Sequence, residues 1–570
     1  MKSMLKWCVA GIFLLSTLHP FAQGTSFKSV PKGWHLMDKE KDGYYGISLD
    51  KAYEFVRSKK LKSKTVIVAV IDSGVDTLHE DLKGILWTNP KEIPGNGIDD
   101  DHNGYIDDVN GWNFIGGKDG RNVKDDSYEG ARVYYRFKDM YSGKTIDTST
   151  MSQDEKDQYK MWQKARINVE GGEEEGGEQV DLVFLQRALE STLKSDSVLQ
   201  VVLGKKEYTG TELQAYIPKT PEESKARSGF LYLYKATKSE METSNKELAD
   251  GFKEYVTGQE RKKEAAGKAP ENYRADIVKD NEEDINDKYY GNNDVMASTP
   301  FHGTFVSGII GANRNNDIGV NGIADNVRIM MIRAVPDGDE HDKDIALAIR
   351  YATDNGASIV NMSFGKSFSP EKKWVDDAVK YAESKGVLLI QAAGNSSANV
   401  DTADNFPNPR LRAYKTTASN YITVGASGDP SDPQEGGLVA SFSNYGKKSV
   451  DVFAPGVKIY STMPGGNTYG NSQGTSFSSP IVVGTAAFLL EYFPNLTAQQ
   501  LKYCIEKSAK APGVKVKKPG TEEMVDMSEL CKTGGLLNVY EAAKVAATLN
   551  IPSKPTKKLP KSTLKKDTKG

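Results

Sequence analysis

The sequence predicts an α/β fold: a doubly wound, mostly parallel sheet with helices on both faces, plus a mainly helical inserted subdomain. Three observations predict it. Val66-Ile67-Val68-Ala69-Val70-Ile71 is an unbroken apolar run ending in Asp72, the pattern of a strand buried on both faces. Similar runs recur after residue 300 and alternate with helical segments, which implies one parallel sheet with right-handed crossovers. Residues 117–294 interrupt that alternation with charged, helix-forming sequence.

In chain order, Met1–Ala22 carries Lys2 and Lys6, then the short apolar run Cys8–Leu18 and a plausible cleavage point after Ala22. This is a secretory signal pattern, so the chain is expected to be exported, to the periplasm or outside the cell. The run of about eleven residues is too short to span a bilayer, which takes ~20. Mean hydropathy of −0.53 and the lack of a second long apolar run predict no later membrane span. A net charge of −3 over 570 residues gives no support for nucleic-acid binding.

Residues 23–116 read as the first part of the main domain, with a lead-in helix over Ile47–Val56. An acidic run follows. Asp99, Asp101 and Asn103 alternate, Gly104 sits at the turn, Tyr105 can offer its carbonyl, and Asp107 stands at the ninth place. That is the ligand spacing of an EF-hand loop, so a structural calcium ion is expected. Asn110 occupies the twelfth place, where a bidentate Glu is usual, and Asp108 is the candidate substitute. A solvated acidic turn is the alternative.

Within 117–294, helices are expected over 154–168, 180–203, 229–256 and 259–266. Leu182, Phe184, Leu185, Leu189 and Leu193 approximate one helical face. Glu170–Gln179 reads as a low-complexity linker. The segment holds no His or Cys, so it offers no evident catalytic or metal cluster.

The second part of the main domain spans 295–550. Strands are expected over 326–333, 357–365, 387–395, 421–426 and 450–456. Helices are expected over 344–355, 374–385, 497–509 and 539–549, with Thr497 as a cap. Residues 551–570 read as a disordered basic tail. Signal cleavage leaves Cys504 and Cys531, which are expected to form a disulfide in an oxidising compartment, two buried thiols being the alternative.

Three stretches carry chemistry. Asp72 ends the first strand, where open α/β sheets place their ligands. His302 opens the helical stretch His302-Gly303-Thr304-Phe305-Val306-Ser307-Gly308-Ile309-Ile310-Gly311, whose small residues allow close packing on a sheet. Ser476, in Gly474-Thr475-Ser476-Phe477-Ser478-Ser479-Pro480, precedes the apolar run Ile481–Leu490, and Pro480 suits the first turn of a helix there. An acid, a His and a Ser supply the orienter, base and nucleophile of nucleophilic catalysis. Taken alone, Ser476 is equally a helix cap, and Asp76 is the rival acid.

These motifs, in the order Asp, His, Ser, resemble those of the subtilases, the subtilisin-like serine proteases. The likeness covers roughly 64–114 and 298–493, and not the segment between. It implies a subtilisin-like core and a serine endopeptidase, with peptides or proteins as substrates. It implies Asp72, His302 and Ser476 as the catalytic triad and Asn395 as the oxyanion donor. Ser363, Phe364 and Gly365 correspond to the strand that pairs with substrate. Ala392, Ala393 and Gly394 correspond to one wall of the specificity pocket. An inactive peptide-binding scaffold is one rival class. An α/β-hydrolase esterase is another, but Ser478 stands where its second Gly belongs and the residue order differs.

Overall fold

The computed structural model describes residues 30–171 and 181–549, except 238, 240, 242, 298, 299, 315 and 432–435. The expected signal, the basic tail and nearly all of the Glu170–Gln179 linker lie outside the described residues. No helix among the described residues is long and apolar enough to cross a membrane.

Helix α1 (Leu49–Ser58) leads into β1 (Val66–Asp72), and β2 (Gly111–Asn113) closes the first part. The insertion contributes α2 (Glu129–Tyr141), α3 (Gln153–Glu170), α4 (Leu182–Leu203), α5 (Pro221–Ala236) and α6 (Asn245–Glu264). Then follow α7 (Phe301–Gly311), β3 (Val327–Arg333), α8 (Asp342–Asp354), β4 (Ile359–Met362), α9 (Lys372–Lys385) and β5 (Leu388–Ala392). The chain continues through β6 (Tyr421–Ser427), β7 (Val452–Pro455), the hairpin β8 (Ile459–Met463) and β9 (Thr468–Ser472), and α10 (Thr475–Tyr492). Helices α11 (Ala498–Ser508) and α12 (Val539–Leu549) complete it.

Among the described residues the main sheet has seven strands in the order β2-β3-β1-β4-β5-β6-β7, and every adjacent pair is parallel. Period-2 alternation splits β1 between two cores. Val66, Val68 and Val70 pack with α1, α7 and α10, whereas Ala69 and Ile71 pack with α8 and α9. Helix α10 is buried around almost its whole circumference and packs against β4, β5, β6 and β7. An all-round apolar helix requires such a central place. Thr497 caps α11 through a capping box with Gln500, as its sequence suggests.

Four expectations change. The helix expected over 229–256 is broken after Ala236, because Ser244 caps a new helix through the Glu247 N–H. The run expected as a separate helix at 259–266 continues that helix. In α4, Leu185 and Leu199 face the insertion core, while Phe184 and Leu193 are exposed. Cys504 and Cys531 are both free and buried, and they sit in different apolar clusters, so no disulfide joins them. Helix α2 had no counterpart among the sequence expectations.

Candidate active site

The end of β1 presents Asp72, and the second positions of α7 and α10 present His302 and Ser476. His302 Nδ1 lies 2.8 Å from Asp72 Oδ1 and 2.9 Å from Oδ2. The Ser73 N–H donates to the same Oδ1 at 2.8 Å. Gly303 permits this approach, since a Cβ there would stand 2.1 Å from the Gly74 carbonyl oxygen and 3.2 Å from Asp72 Cβ. Next along α7, the Thr304 hydroxyl accepts the Asp76 N–H at 2.7 Å. Asp76 itself accepts the N–H groups of Leu78 and Gly465, so the rival acid is engaged elsewhere.

Burial pushes the His302 pKa down, but the charge of Asp72 and its hydrogen bond more than offset this and raise it overall. Glu254, on α6 of the insertion, adds to the rise. The imidazole side chain is 30% exposed, so it opens to solvent on one side. The Phe477 ring, next to Ser476, lies 5.5 Å from it, centroid to centroid.

Asn395 is oriented through its amide oxygen, which accepts the Thr475 N–H at 2.9 Å and the Thr475 hydroxyl at 2.8 Å. Its Nδ2 is thereby turned toward Gly474. A Cβ on Gly474 (φ +152°) would lie 3.4 Å from that nitrogen and 3.7 Å from the Ser476 backbone nitrogen. Two N–H donors thus flank one glycine.

Pro480 is the sixth residue of α10 and not part of its first turn. Lacking an N–H, it leaves the Ser476 carbonyl without its helical partner. The Ser363 hydroxyl fills that role, donating to the Ser476 carbonyl oxygen at 2.7 Å. Ser363 Oγ accepts from Asn361 Nδ2 at 2.9 Å, and Asn361 Oδ1 accepts from the Ser479 hydroxyl at 3.0 Å. The sequence reading missed Asn361, Thr475 and Ser479. Asn361 left a signal, a polar residue within an otherwise apolar buried strand.

Ser363, Phe364 and Gly365 follow β4, and Ala392, Ala393 and Gly394 end and follow β5, the adjacent strand. Asn405 stands between the two stretches. Its Nδ2 donates to the Ala393 carbonyl at 3.1 Å, and its Oδ1 would meet a Cβ on Gly365 at 2.7 Å. Asn444 donates to the same Ala393 carbonyl at 2.8 Å, and the Gly394 N–H donates to Thr475 Oγ at 3.0 Å.

The acidic loop gathers only part of its expected set. Asp99 and Asp101 come together, and the Asn103 N–H donates to both. Asn103 Oδ1 accepts the Tyr105 N–H, and Tyr105 packs into the aromatic core. Asp107 turns to its own loop and accepts the N–H groups of Gly95, Asn96 and Gly97. Asp108 is fully buried and accepts from Asn89, Asn103 and Tyr351, and burial pushes its pKa up to about 6.

A parallel sheet whose strand end sets an acid against a histidine at a helix N-terminus, beside a second helix that opens on a Gly-Thr-Ser turn, defines a class of α/β proteins. Within that class the chain belongs to the subtilase family, whose model matches residues 63–529. A thermophilic serine proteinase of Bacillus sp. strain AK1 is 39% identical over 36% of this chain and 46% of its own. Thermitase of Thermoactinomyces vulgaris is 36% identical over 41% of this chain and 77% of its own. A solved structure of proteases from Pseudoalteromonas arctica is 26% identical, with a TM-score of 0.35, over 45% of this chain and 74% of that one. The chain spans about half the length of the first two curated relatives it matches, 46% and 50%.

Proposed function

We propose that the protein is an exported serine endopeptidase that hydrolyses peptide bonds of peptides and proteins through Asp72, His302 and Ser476. The observation that carries this is the His302–Asp72 pair at 2.8 Å, with the ring of Phe477, the residue after Ser476, 5.5 Å from the imidazole. Ser476 Oγ attacks the scissile carbonyl carbon while His302 Nε2 takes its proton. Asp72 accepts the Nδ1–H, fixing the tautomer and stabilising the imidazolium. The Asn395 amide and the Ser476 N–H donate to the oxyanion, where the α10 N-terminus also favours negative charge. His302 then gives its proton to the leaving amine, and water hydrolyses the acyl-enzyme by the reverse sequence.

Substrate lies extended along Ser363-Phe364-Gly365, with its side chain against Ala392-Ala393-Gly394. The small wall residues suit a large apolar side chain. Export rests on the Met1–Ala22 pattern. The family implies structural calcium, and the oxygen-rich loop that begins at Asp99 fits such an ion.

The test is a fluorophosphonate label together with a chromogenic peptide. Wild type is expected to be labelled and active, Ser476→Ala neither, and Asn395→Ala slower by on the order of 10²–10³ in kcat. Full peptidase activity in purified Ser476→Ala would overturn the assignment.

A further inference from the structure

We infer that Glu92, upstream of the acidic loop, completes a calcium site with Asp99 and Asp101 in place of the missing twelfth-position glutamate. This rests on the calcium reading of the loop given above. One carboxylate oxygen from each of Glu92, Asp99 and Asp101 lies within 4.8 Å of the other two. Glu92 is only 7% exposed, and its Oε2 has no hydrogen-bond partner although it is buried. Its other oxygen, Oε1, accepts the N–H groups of Asp100 at 3.0 Å and Asp101 at 3.2 Å. The side chain is thus fixed by the loop backbone, with one charged oxygen left over.

A buried carboxylate oxygen without a partner is costly, and two further carboxylates beside it raise the cost. The nearest cation to Asp101 is Lys91, 4.0 Å from its Oδ2, and the Lys91 side chain is 71% exposed. A hard divalent cation removes the repulsion and uses the free oxygen. Calcium accepts such irregular all-oxygen sets, whereas magnesium demands a near-ideal octahedron.

The loop geometry explains why the ligand comes from upstream. Asp107, Asp108 and Asn110 are committed elsewhere. Asp107 holds the backbone of residues 95–97, Asp108 joins a buried network, and Asn110 Nδ2 donates to the Trp87 carbonyl. The return leg of the loop is therefore pinned to the core, and the closing carboxylate comes from the outgoing leg. Asn89 N–H bonds the Val109 carbonyl at 2.8 Å, so the two legs run side by side there. An ion at this point ties Glu92 to the Asp99–Asp101 turn, directly before β2.

The test uses the full chain carrying Ser476→Ala, so that self-digestion plays no part. Calcium binding is followed by titration calorimetry, and thermal midpoints are read in calcium and in chelator. With Glu92 intact, calcium should bind and raise the midpoint. Glu92→Gln should weaken binding by at least the roughly 10–100-fold that loss of a ligand's supporting partner costs. In chelator, Glu92→Gln should melt at or above the parent, because one repelling charge is gone. Calcium binding undiminished by Glu92→Gln overturns the role of Glu92. An equal fall in midpoint with and without calcium overturns it too, since Glu92 is then only a loop brace. If the parent itself binds no calcium, the loop reading fails together with this inference.

Discussion

The raised pKa of His302 has two consequences of opposite sign. The charged His302–Asp72 pair contributes stability that is fully present below the unfolded histidine value of about 6.5. That stability is lost as pH rises through the higher folded value. The proposed hydrolysis needs the neutral imidazole, so kcat/KM should climb across the same window. Glu254 is exposed, and its charge adds to this balance. Glu254→Gln should therefore move the acid limb of the kcat/KM profile to lower pH, and added salt should shrink the difference. Superimposable acid limbs for the two proteins at low salt would remove Glu254 from the account. At this scale the sequence offers candidates where one residue type suffices. Asp72, His302, Ser476 and Asn395 each sit in a short motif with few substitutes. The residues that orient them, Thr475 and Asn361, act through hydrogen bonds between segments 80 and 118 residues apart, which local sequence does not encode.

Helix α7 shows why element packing, more than element identity, builds the site. Gly303, Gly308 and Gly311 each lie against a neighbour that a Cβ would strike: the Gly74 carbonyl at 2.1 Å, Thr462 Oγ1 at 2.2 Å and Val327 Cγ2 at 2.3 Å. The small-residue pattern in the sequence thus anticipates contacts on three sides. Gly303→Ala meets backbone, which cannot swing aside, so overpacking of about 1–3 kcal/mol is expected. The shift would also carry His302 off Asp72. Urea midpoints and kcat, measured together, check this, with both expected to fall. A variant of unchanged stability and rate would show that α7 has slack. Buried strands and helices of the main domain were legible because their apolar runs are long and uninterrupted. The break between α5 and α6 was not, because strong helix formers on both sides outweigh the short Thr237–Ser244 stretch of capping residues. The cysteines misled for a different reason. Compartment chemistry favours a bond, but packing puts the two thiols in separate cores.

The insertion leaves and rejoins the main domain at one place. Asn113 and Asn292 exchange backbone hydrogen bonds of 2.9 and 3.1 Å at the sheet edge beside β2. Its α4–α6 helices have their own apolar core, while α2 and α3 pack with Phe368, three residues beyond the expected substrate stretch. Lys366 is buried against Glu129 at 2.7 Å and Asp342 at 2.9 Å, joining insertion to cleft wall. A role for the insertion in access to the substrate stretch is an expectation with a direct test. Replacing residues 118–293 by a short Gly-Ser linker should raise kcat/KM on a folded protein substrate more than on a short chromogenic peptide. Equal, unchanged values in a folded variant would make the insertion a bystander. The presence of a helical insertion was readable from composition. Its docking was not, because it depends on pairs such as Lys366–Glu129 that lie 237 residues apart.

The strand order also fixes a timetable. Both neighbours of β1 in the sheet, β3 and β4, come from beyond residue 326. A ribosome finishes Asp72 and then makes about 260 more residues before β3 is complete, roughly 10–50 s at ~5–20 residues per second. Throughout that interval β1 lacks both of its sheet neighbours, while the insertion helices α4–α6, which share their own apolar core, are made before β3. Ser476 emerges later still. The nascent chain therefore carries the apolar stretch 66–71 as an unpaired strand until β3 and β4 are made.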